Sequence, residues 1–371
     1  MIAISTGIGL QQKIREKLSG FTGHIQVTNF DSNNSEITLE PVSKNQDFYP
    51  EFTTVSNVKN VQVFATKAGI IRTETDFEGI IFKGVSEDYD WTFFKAYLVE
   101  GNLPCFSGEV SNEVLISKEI SNRLQIHLGD EFNILFVKED PSKAPWIRVV
   151  KAVGVYNSGF MEFDENFVMA DIRHIQKMNR WSEAEVGGFE VILNDFNEID
   201  SKSEAIYAQT GATLNSESVV EKYPGIFEWI NLFDTNIYLI IAIMILVAGI
   251  NMITAILVLI LERTQMVGIL KALGSSNISI RKVFLYNAGY LILRGLFWGN
   301  LIGLAILLIQ KYTGIVTLDS ETYYVNEVPI YLDFGYVLLL NLGTLVLCLV
   351  MLIVPSIVIS KINPAKSIKF E

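Results

Sequence analysis

The sequence predicts two parts of different fold class: an α+β domain over residues 21–235 and an all-α membrane bundle over residues 236–371. Three observations support this division. Residues 1–235 carry 35 acidic and 20 basic residues, whereas residues 236–371 carry 6 and 9. Short runs that alternate between apolar and polar residues dominate the first part, and long uncharged apolar runs dominate the second. Alternation with period two indicates strands, and apolar runs of about 20 residues indicate membrane helices.

The chain begins with MIAISTGIGL, an apolar stretch that covers only about half of a membrane span. No basic segment precedes it and no clear cleavage site follows it. We therefore expect residues 1–20 to be the end of a truncated first transmembrane helix with its outer extension, which would give the complete protein four spans. An ordinary buried or interfacial helix is the alternative.

Residues 21–235 have the pattern of a mixed domain. A Gly129-Asp130 turn separates a strand and a short helix from a further strand within residues 113–136. Other expected strands cover residues 24–30, 61–73, 78–85, 146–171 and 188–196, and helical spacing covers residues 172–181 and 201–210. Strands and helices mixed in this way indicate an α+β fold.

Several functional classes are disfavoured by the residues of this domain. Its acidic surplus argues against nucleic acid as a partner, which would need a basic stripe. His24, His127 and His174 are widely spaced, so no metal site is expected. Cys105 and Cys348 lie in regions of opposite polarity and predict no disulfide. No nucleophile lies beside a plausible base, so we predict no catalytic residue and no enzyme activity in this chain.

Three apolar runs predict membrane spans at residues 237–261, 283–309 and 336–360. Basic residues are retained on the cytoplasmic side of a membrane. Segment 262–282 has four basic residues and one acidic residue, and segment 361–371 has three and one, so both are expected inside. The loop 310–335 has four acidic residues and one basic residue, so it and residues 21–235 are expected outside.

The segment between the first two of these spans reads ERTQMVGILKALG and resembles the inner loop of FtsX/MacB-type ABC transporter permeases. In that family this element helps to join the membrane helices to an ATPase. A short amphipathic helix ended by glycine would place Met266, Ile269, Leu270 and Leu273 along one side. The alternative is a loop that only packs against its own bundle. The resemblance assigns ATPase coupling to Glu262, Arg263, Gly268, Ile269, Leu270, Lys271, Ala272, Leu273 and Gly274.

The same chain has no phosphate-binding loop of the Gly-x-x-x-x-Gly-Lys-Ser/Thr type. Any nucleotide chemistry must therefore come from a separate ABC ATPase subunit, which would bind ATP and Mg. We expect no cofactor in this chain. The resemblance further implies a second permease, identical or homologous.

Further motifs narrow the resemblance to the lipoprotein-releasing LolC/LolE permeases: residues 153–164, 327–333 and 363–369 are similar to elements of that family. This implies a MacB-like periplasmic core, a multi-pass protein of the bacterial inner membrane with residues 21–235 in the periplasm, a lipoprotein substrate and a periplasmic lipoprotein chaperone. Two alternatives stay open, namely an FtsX-like regulator of cell-wall hydrolases and a MacB-like efflux permease for peptides or drugs. The C-type and E-type subunits are not distinguished.

Polar and small residues also mark the predicted bundle. Gly295, Gly299 and Gly303 recur every four residues, which favours helix packing over substrate contact. Arg294 lies inside the same span, where a charge needs a polar environment, so it is a candidate for a structural or functional role. Asn251, Asn300 and Asn341 could form hydrogen bonds between helices, and Pro355 would bend the third span.

Overall fold

The computed structural model describes residues 1–31, 40–73, 76–138, 142 and 144–353. The chain divides into two compact units. The domain unit comprises Gln12–Phe227 and Leu318–Asn326. The helical unit comprises Met1–Gln11, Glu228–Thr317 and the chain from Glu327 onward. The predicted combination of a mixed domain with apolar helices is confirmed.

Strands form the centre of the domain unit. In chain order they are β1 (Ile25–Asn29), β2 (Val42–Ser43), β3 (Val58–Arg72), β4 (Phe77–Val85), β5 (Leu98–Gly101), β6 (Glu113–Ser117), β7 (Glu131–Phe136), β8 (Trp146–Tyr156), β9 (Phe167–Asp171), β10 (Glu185–Val186), β11 (Gly188–Leu193) and β12 (Leu214–Ser218).

The strand pairings close on themselves. Strands β3, β4, β9, β6 and β8 are successive neighbours, and β7 pairs with both β8 and β3, so six strands form a ring. The β4–β9 and β6–β8 pairs are parallel, and β3–β4 is antiparallel from Phe64↔Val85 to Arg72↔Phe77. Strands β11, β1 and β12 extend the sheet from β3. Ring closure covers edges that would otherwise stay unpaired.

One longer helix precedes these strands and short helices lie between them, several of which begin at a residue whose side chain caps the helix. Ser117 accepts a hydrogen bond from Ile120 N at the start of the helix Lys118–Leu124, and Asp171 accepts one from Arg173 N at the start of the helix Ile172–Asn179. Ser218 and Glu221 form a capping box at the helix Val219–Lys222. The helices are α1 (Ile2–Thr22), α2 (Thr92–Tyr97), α3 (Lys118–Leu124), α4 (Met161–Asp164), α5 (Ile172–Asn179), α6 (Ile199–Gln209) and α7 (Val219–Lys222).

An ion pair lies in the core of the domain unit. Lys83 and Glu190 are 2% and 0% exposed, and Lys83 Nζ lies 2.6 Å from Glu190 Oε1. Lys83 also donates to the backbone carbonyl of Phe21 at the end of α1. Gln26 and Gln62 donate to the Glu190 carboxylate at 3.2 Å and 3.0 Å. Because both charges have several partners, the buried pair is satisfied and ties α1 to the sheet.

The helical unit contains three long helices and one shorter helix. The long helices are α8 (Pro224–Glu262), α10 (Asn277–Thr313) and α12 (Phe334–Met351), and the shorter one is α9 (Thr264–Ala272). A single turn, α11 (Ser320–Tyr323), lies in the segment that belongs to the domain unit. Among the described residues α8, α10 and α12 are long and apolar enough to cross a membrane. They begin at Pro224, Asn277 and Phe334, before the predicted spans. Pro355 and the predicted end of the third span, residues 354–360, lie outside the described residues, as does the tail 361–371.

Candidate functional sites

Helix α9 is the central part of the predicted coupling element. It begins after Arg263 and ends at Ala272. Gly274 has a φ of +90°, and its N–H donates to Lys271 O at 3.0 Å. The N–H of Ser275 donates to Leu270 O at 3.0 Å. Glycine adopts this left-handed conformation without steric cost, so Gly274 stops the helix as the sequence predicts.

One side of α9 packs within the helical unit. Val267 is 0% exposed and belongs to an apolar cluster that includes Ile260, Ile280 and Phe284. Gly268 is buried, and Leu270 packs against the same cluster. The prediction that Leu270 shares one side with Met266, Ile269 and Leu273 is therefore wrong. Position 270 lies about 100° around the helix from position 269, which turns its side chain toward the cluster.

The other side of α9 carries an exposed apolar stripe. Met266, Ile269 and Leu273 are 39%, 46% and 78% exposed, and their spacing of three and four residues aligns them. Glu262, Arg263, Ala272 and Gly274 are exposed as well, whereas Lys271 is half-buried. We call Met266, Ile269 and Leu273 the α9 stripe. One face of α9 thus packs against its own bundle, and the described residues leave the other face exposed.

The glycine series of α10 has two different environments. A Cβ placed at Gly295 or Gly299 would meet no atom within 4 Å. A Cβ at Gly303 would lie 2.6 Å from Met1 Cε, so close packing at this position already exists within the helical unit. Arg294 is exposed next to the open part of the series. The open positions leave room for another helix.

Two asparagines join α10 to α12. Asn300 Nδ2 donates to Asn341 Oδ1 at 2.6 Å, and Asn341 Nδ2 donates back to Asn300 Oδ1 at 3.3 Å. This confirms the predicted hydrogen bonding between helices for these residues. Asn251, in contrast, is exposed.

The motif at residues 153–164 ends in a tight polar turn of the domain unit. Asp164 accepts hydrogen bonds from Ser158 Oγ at 2.6 Å and from Gly159 N at 2.9 Å. Phe160 N donates to Ser158 Oγ at 3.1 Å. Burial raises the pKa of Asp164 to about 6, although the bonds from Ser158 and Gly159 and the charge of Lys17 oppose this. We call residues 158–164 the receptor turn.

The receptor turn contacts the segment Leu318–Asn326. The rings of Phe160 and Tyr324 stack with centroids 4.9 Å apart. Lys17 Nζ donates to the Tyr324 carbonyl oxygen at 3.0 Å. A Cβ placed at Gly159 would lie 2.6 Å from Asn326 Nδ2. Sequence reasoning recognised the motif but missed this partner, because the two segments are about 160 residues apart and no local pattern joins them.

Metal-binding and redox chemistry have no cluster to support them in the described part of the chain. No group of three or more His, Cys, Asp or Glu side chains there could hold a metal ion. Cys105 is exposed and Cys348 is buried, and both are free thiols. His24 accepts a hydrogen bond from Leu193 N, and burial lowers its pKa to about 4, as expected for a structural histidine.

Known proteins are similar to the helical part and to the chain as a whole. Residues 238–364 match the family model described as FtsX-like permease C-terminal. The chain is 21% identical over its full length to 90% of the lipoprotein-releasing system transmembrane protein LolC of Neisseria meningitidis serogroup B. It is 17% identical, over 99% of the chain and 89% of the relative, to the LolE protein of Haemophilus influenzae.

A solved structure also resembles part of the chain. The periplasmic region of MacB from Actinobacillus actinomycetemcomitans aligns with 58% of this chain and 98% of its own length, at 14% identity and a TM-score of 0.38. The resemblance to FtsX/MacB-type permeases and to LolC/LolE that the sequence predicts is confirmed. Residues 238–364 are similar to FtsX-like permease domains, and a mixed α/β domain precedes them in the chain.

Proposed function

We propose that this chain is the permease subunit of an ABC-type complex that extracts lipoproteins from the inner membrane and transfers them to a periplasmic chaperone. A separate ATPase subunit binds ATP and Mg and supplies the energy. A second permease, identical or homologous, completes the membrane part. The similarity to relatives named as lipoprotein-releasing transmembrane proteins supports this assignment.

The observation that carries the proposal is the two-sided packing of α9. Its buried side, at Val267 and Gly268, fixes the helix to α8 and α10 through the apolar cluster. Its α9 stripe is left uncovered by the described residues of this chain. Exposed aligned apolar residues favour contact with another protein. A movement of the ATPase at the α9 stripe would therefore pass directly to the helices that α9 joins.

The proposal includes the orientation predicted from charge. The domain boundaries are 1–20, 21–235 and 236–371, with residues 21–235 in the periplasm and the coupling element, residues 262–274, on the cytoplasmic side. ATP-driven closure at the coupling element would move α8 and α10 and rearrange the outer domains. The mechanism is mechanical, and this chain needs no catalytic side chain for it.

Depletion of the chain tests the transported class. Cells depleted of this permease should retain lipoproteins in the inner membrane when the two membranes are separated by density. Normal delivery of lipoproteins to the outer membrane would contradict the proposal. Capture of a cell-wall hydrolase by the domain unit would then favour an FtsX-like regulator, and capture of an adaptor with an outer-membrane channel would favour efflux.

Substitution in the α9 stripe tests the coupling role. Ile269→Asp should abolish co-purification of the ATPase while membrane insertion of the permease stays normal. Ile315→Asp is the matched control, because Ile315 is 68% exposed beyond the end of α10 and belongs to no predicted coupling site. Gly268→Leu and Gly274→Leu should uncouple ATP hydrolysis from release. Unchanged ATPase binding in Ile269→Asp would remove α9 from the interface.

A further inference from the structure

The segment Leu318–Asn326 belongs to the domain unit although it lies between two apolar helices in sequence. Only Gly314 to Thr317 separate it from the end of α10, a stretch that can span at most about 14 Å. On its other side, residues 327–333 lead to α12. The α10–α12 hairpin is therefore tethered to the domain by two short connections.

Hydrogen bonds hold these connections, so their backbone can extend only a little. Gln310 is 8% exposed, and its side chain accepts from Val316 N at 2.8 Å and donates to Val316 O at 3.0 Å. Val328 N donates to Val316 O at 3.1 Å, and Thr317 and Glu327 form an antiparallel bridge. Paired backbone at both connections resists extension, so a displacement of the hairpin would act on the segment itself.

The segment is held in one conformation on the receptor turn. Tyr324 has a φ of +59°, which is costly for a bulky side chain and persists only where surrounding contacts enforce it. Here those contacts are the stacked ring of Phe160 and the bond from Lys17 to the Tyr324 carbonyl. Val325 is 4% exposed. The segment is thus docked as a defined structure.

Asp164 gives the receptor turn its shape. Its carboxylate bonds Ser158 and Gly159, which fixes Gly159 at a φ of +65°. The Asn326 side chain lies against Gly159, where a Cβ would overlap it, so the missing side chain of the glycine leaves room for this contact. Asp164 acts on the segment through the turn that it bonds.

Helix α4, which forms the second half of the receptor turn, contacts two further parts of the domain unit. The ring of Phe163 stacks on Phe21 of α1 at a centroid distance of 4.5 Å. On another side it lies 6.0 Å from the ring of Tyr223, the residue directly before α8. The residues 158–164 thus contact α1, the residue directly before α8 and the segment between α10 and α12.

We propose that Asp164 is a positioning residue that holds the receptor turn in the form that docks Leu318–Asn326, and that this docking transmits movement of the α10–α12 hairpin to the outer domain. This inference rests on the proposed ATP-driven function. It adds a second mechanical connection, separate from α9, through which the permease domain acts on the domain that meets the cargo.

A thiol probe at Val325 tests the docking in the full permease assembled with its ATPase. The reference chain has Cys105→Ser, Cys348→Ala and Val325→Cys, and maleimide labelling of position 325 reports release of the segment. Asp164→Asn and Tyr324→Ala should each raise the labelling rate about tenfold, because an aromatic stack or an ordered turn is lost. Thr322→Ala should leave it unchanged, since Thr322 is exposed and bonds Asp319 within the segment.

The same variants are then assayed for ATP hydrolysis and for lipoprotein release from proteoliposomes. We expect hydrolysis within about twofold of the reference and release per ATP lowered about tenfold in Asp164→Asn and Tyr324→Ala. Unchanged labelling overturns the docking, and raised labelling with unchanged release per ATP overturns the transmission. A reference complex that releases no lipoprotein contradicts the proposed function instead, and labelling alone then decides the role of Asp164.

Discussion

The domain unit and the helical unit differ in how far they bury their side chains. The domain unit buries a complete ion pair, Lys83 with Glu190, and a cluster of aromatic rings around Phe21. In the helical unit only 17%, 17% and 6% of the residues in the most apolar windows of α8, α10 and α12 are buried. The contacts that stabilise the domain therefore lie within one chain, whereas the helices expose surfaces suited to lipid and to other subunits.

This difference separates two kinds of substitution. Changes in the domain core should unfold the chain whether or not its partners are present. Changes on the helices should leave the single chain folded and act on assembly or coupling.

Removal of one buried charge should be the most damaging change. Glu190→Ala leaves the Lys83 ammonium buried without its carboxylate and should cost about 3–5 kcal/mol in the free energy of unfolding. Denaturant unfolding of the purified chain in detergent, followed by tryptophan fluorescence, measures this cost. Glu131→Ala, at an exposed strand position, is the control. A loss below about 1 kcal/mol for Glu190→Ala would show that the pair is not the core element described.

Protonation of Asp164 should make the domain more stable in mild acid. Its folded pKa of about 6 lies above the ordinary aspartate pKa of 3.8, so between these pH values the folded state holds a proton that the unfolded state has lost. The stability from this group is present below about pH 4 and is lost as the pH rises to about 6, by about 3 kcal/mol at most. Unfolding of the chain and of Asp164→Asn from pH 4 to 7 should show their difference shrinking over that window. A difference that is independent of pH would refute the assignment.

The asparagine pair should contribute a modest amount. Asn300→Leu breaks the reciprocal bond with Asn341 and should destabilise the helical unit by about 1 kcal/mol. Unfolding in detergent measures this change, with Asn251→Leu as the exposed control on α8. Equal effects of the two substitutions would mean that the bond between α10 and α12 is not stabilising.

The open glycines should matter least to the single chain. Gly295→Leu meets no atom of this chain, so its effect on single-chain unfolding should stay within about 0.5 kcal/mol. It should nevertheless weaken association with the second permease, measured by crosslinking in membranes. Gly303→Leu meets the methyl end of the flexible Met1 side chain, which can move, so its effect on unfolding should be small as well. Unchanged association in Gly295→Leu would place the packing surface elsewhere.

The sequence predicted local features better than distant contacts. The alternating runs located β1, β3, β4 and β11 within a few residues, because period two is a local property. Strand β12, read from LNSES, was missed because its polar side chains give no apolar alternation. The closed strand ring was also missed, since it depends on β7 pairing with the distant β3.

The candidate sites show the same limit. The glycine at 274 and the helix before it follow from local spacing, and α9 is found there. Which side of α9 is buried depends on α8 and α10, so the position of Leu270 was not predicted correctly. The docking of Tyr324 on Phe160 depends on two segments that are distant in sequence. Orientation across the membrane remains a prediction from charge.

The most direct test of the account is the side of the membrane on which α9 lies. Cys105, which is exposed in the domain unit, is treated with a membrane-impermeant maleimide in spheroplasts. A second chain with Cys105→Ser, Cys348→Ala and Asn277→Cys carries its only thiol at the exposed start of α10, directly after α9 and outside the α9 stripe. We expect labelling of Cys105 in intact spheroplasts and labelling of position 277 only after permeabilisation. Labelling of position 277 in intact spheroplasts would contradict coupling to a cytoplasmic ATPase.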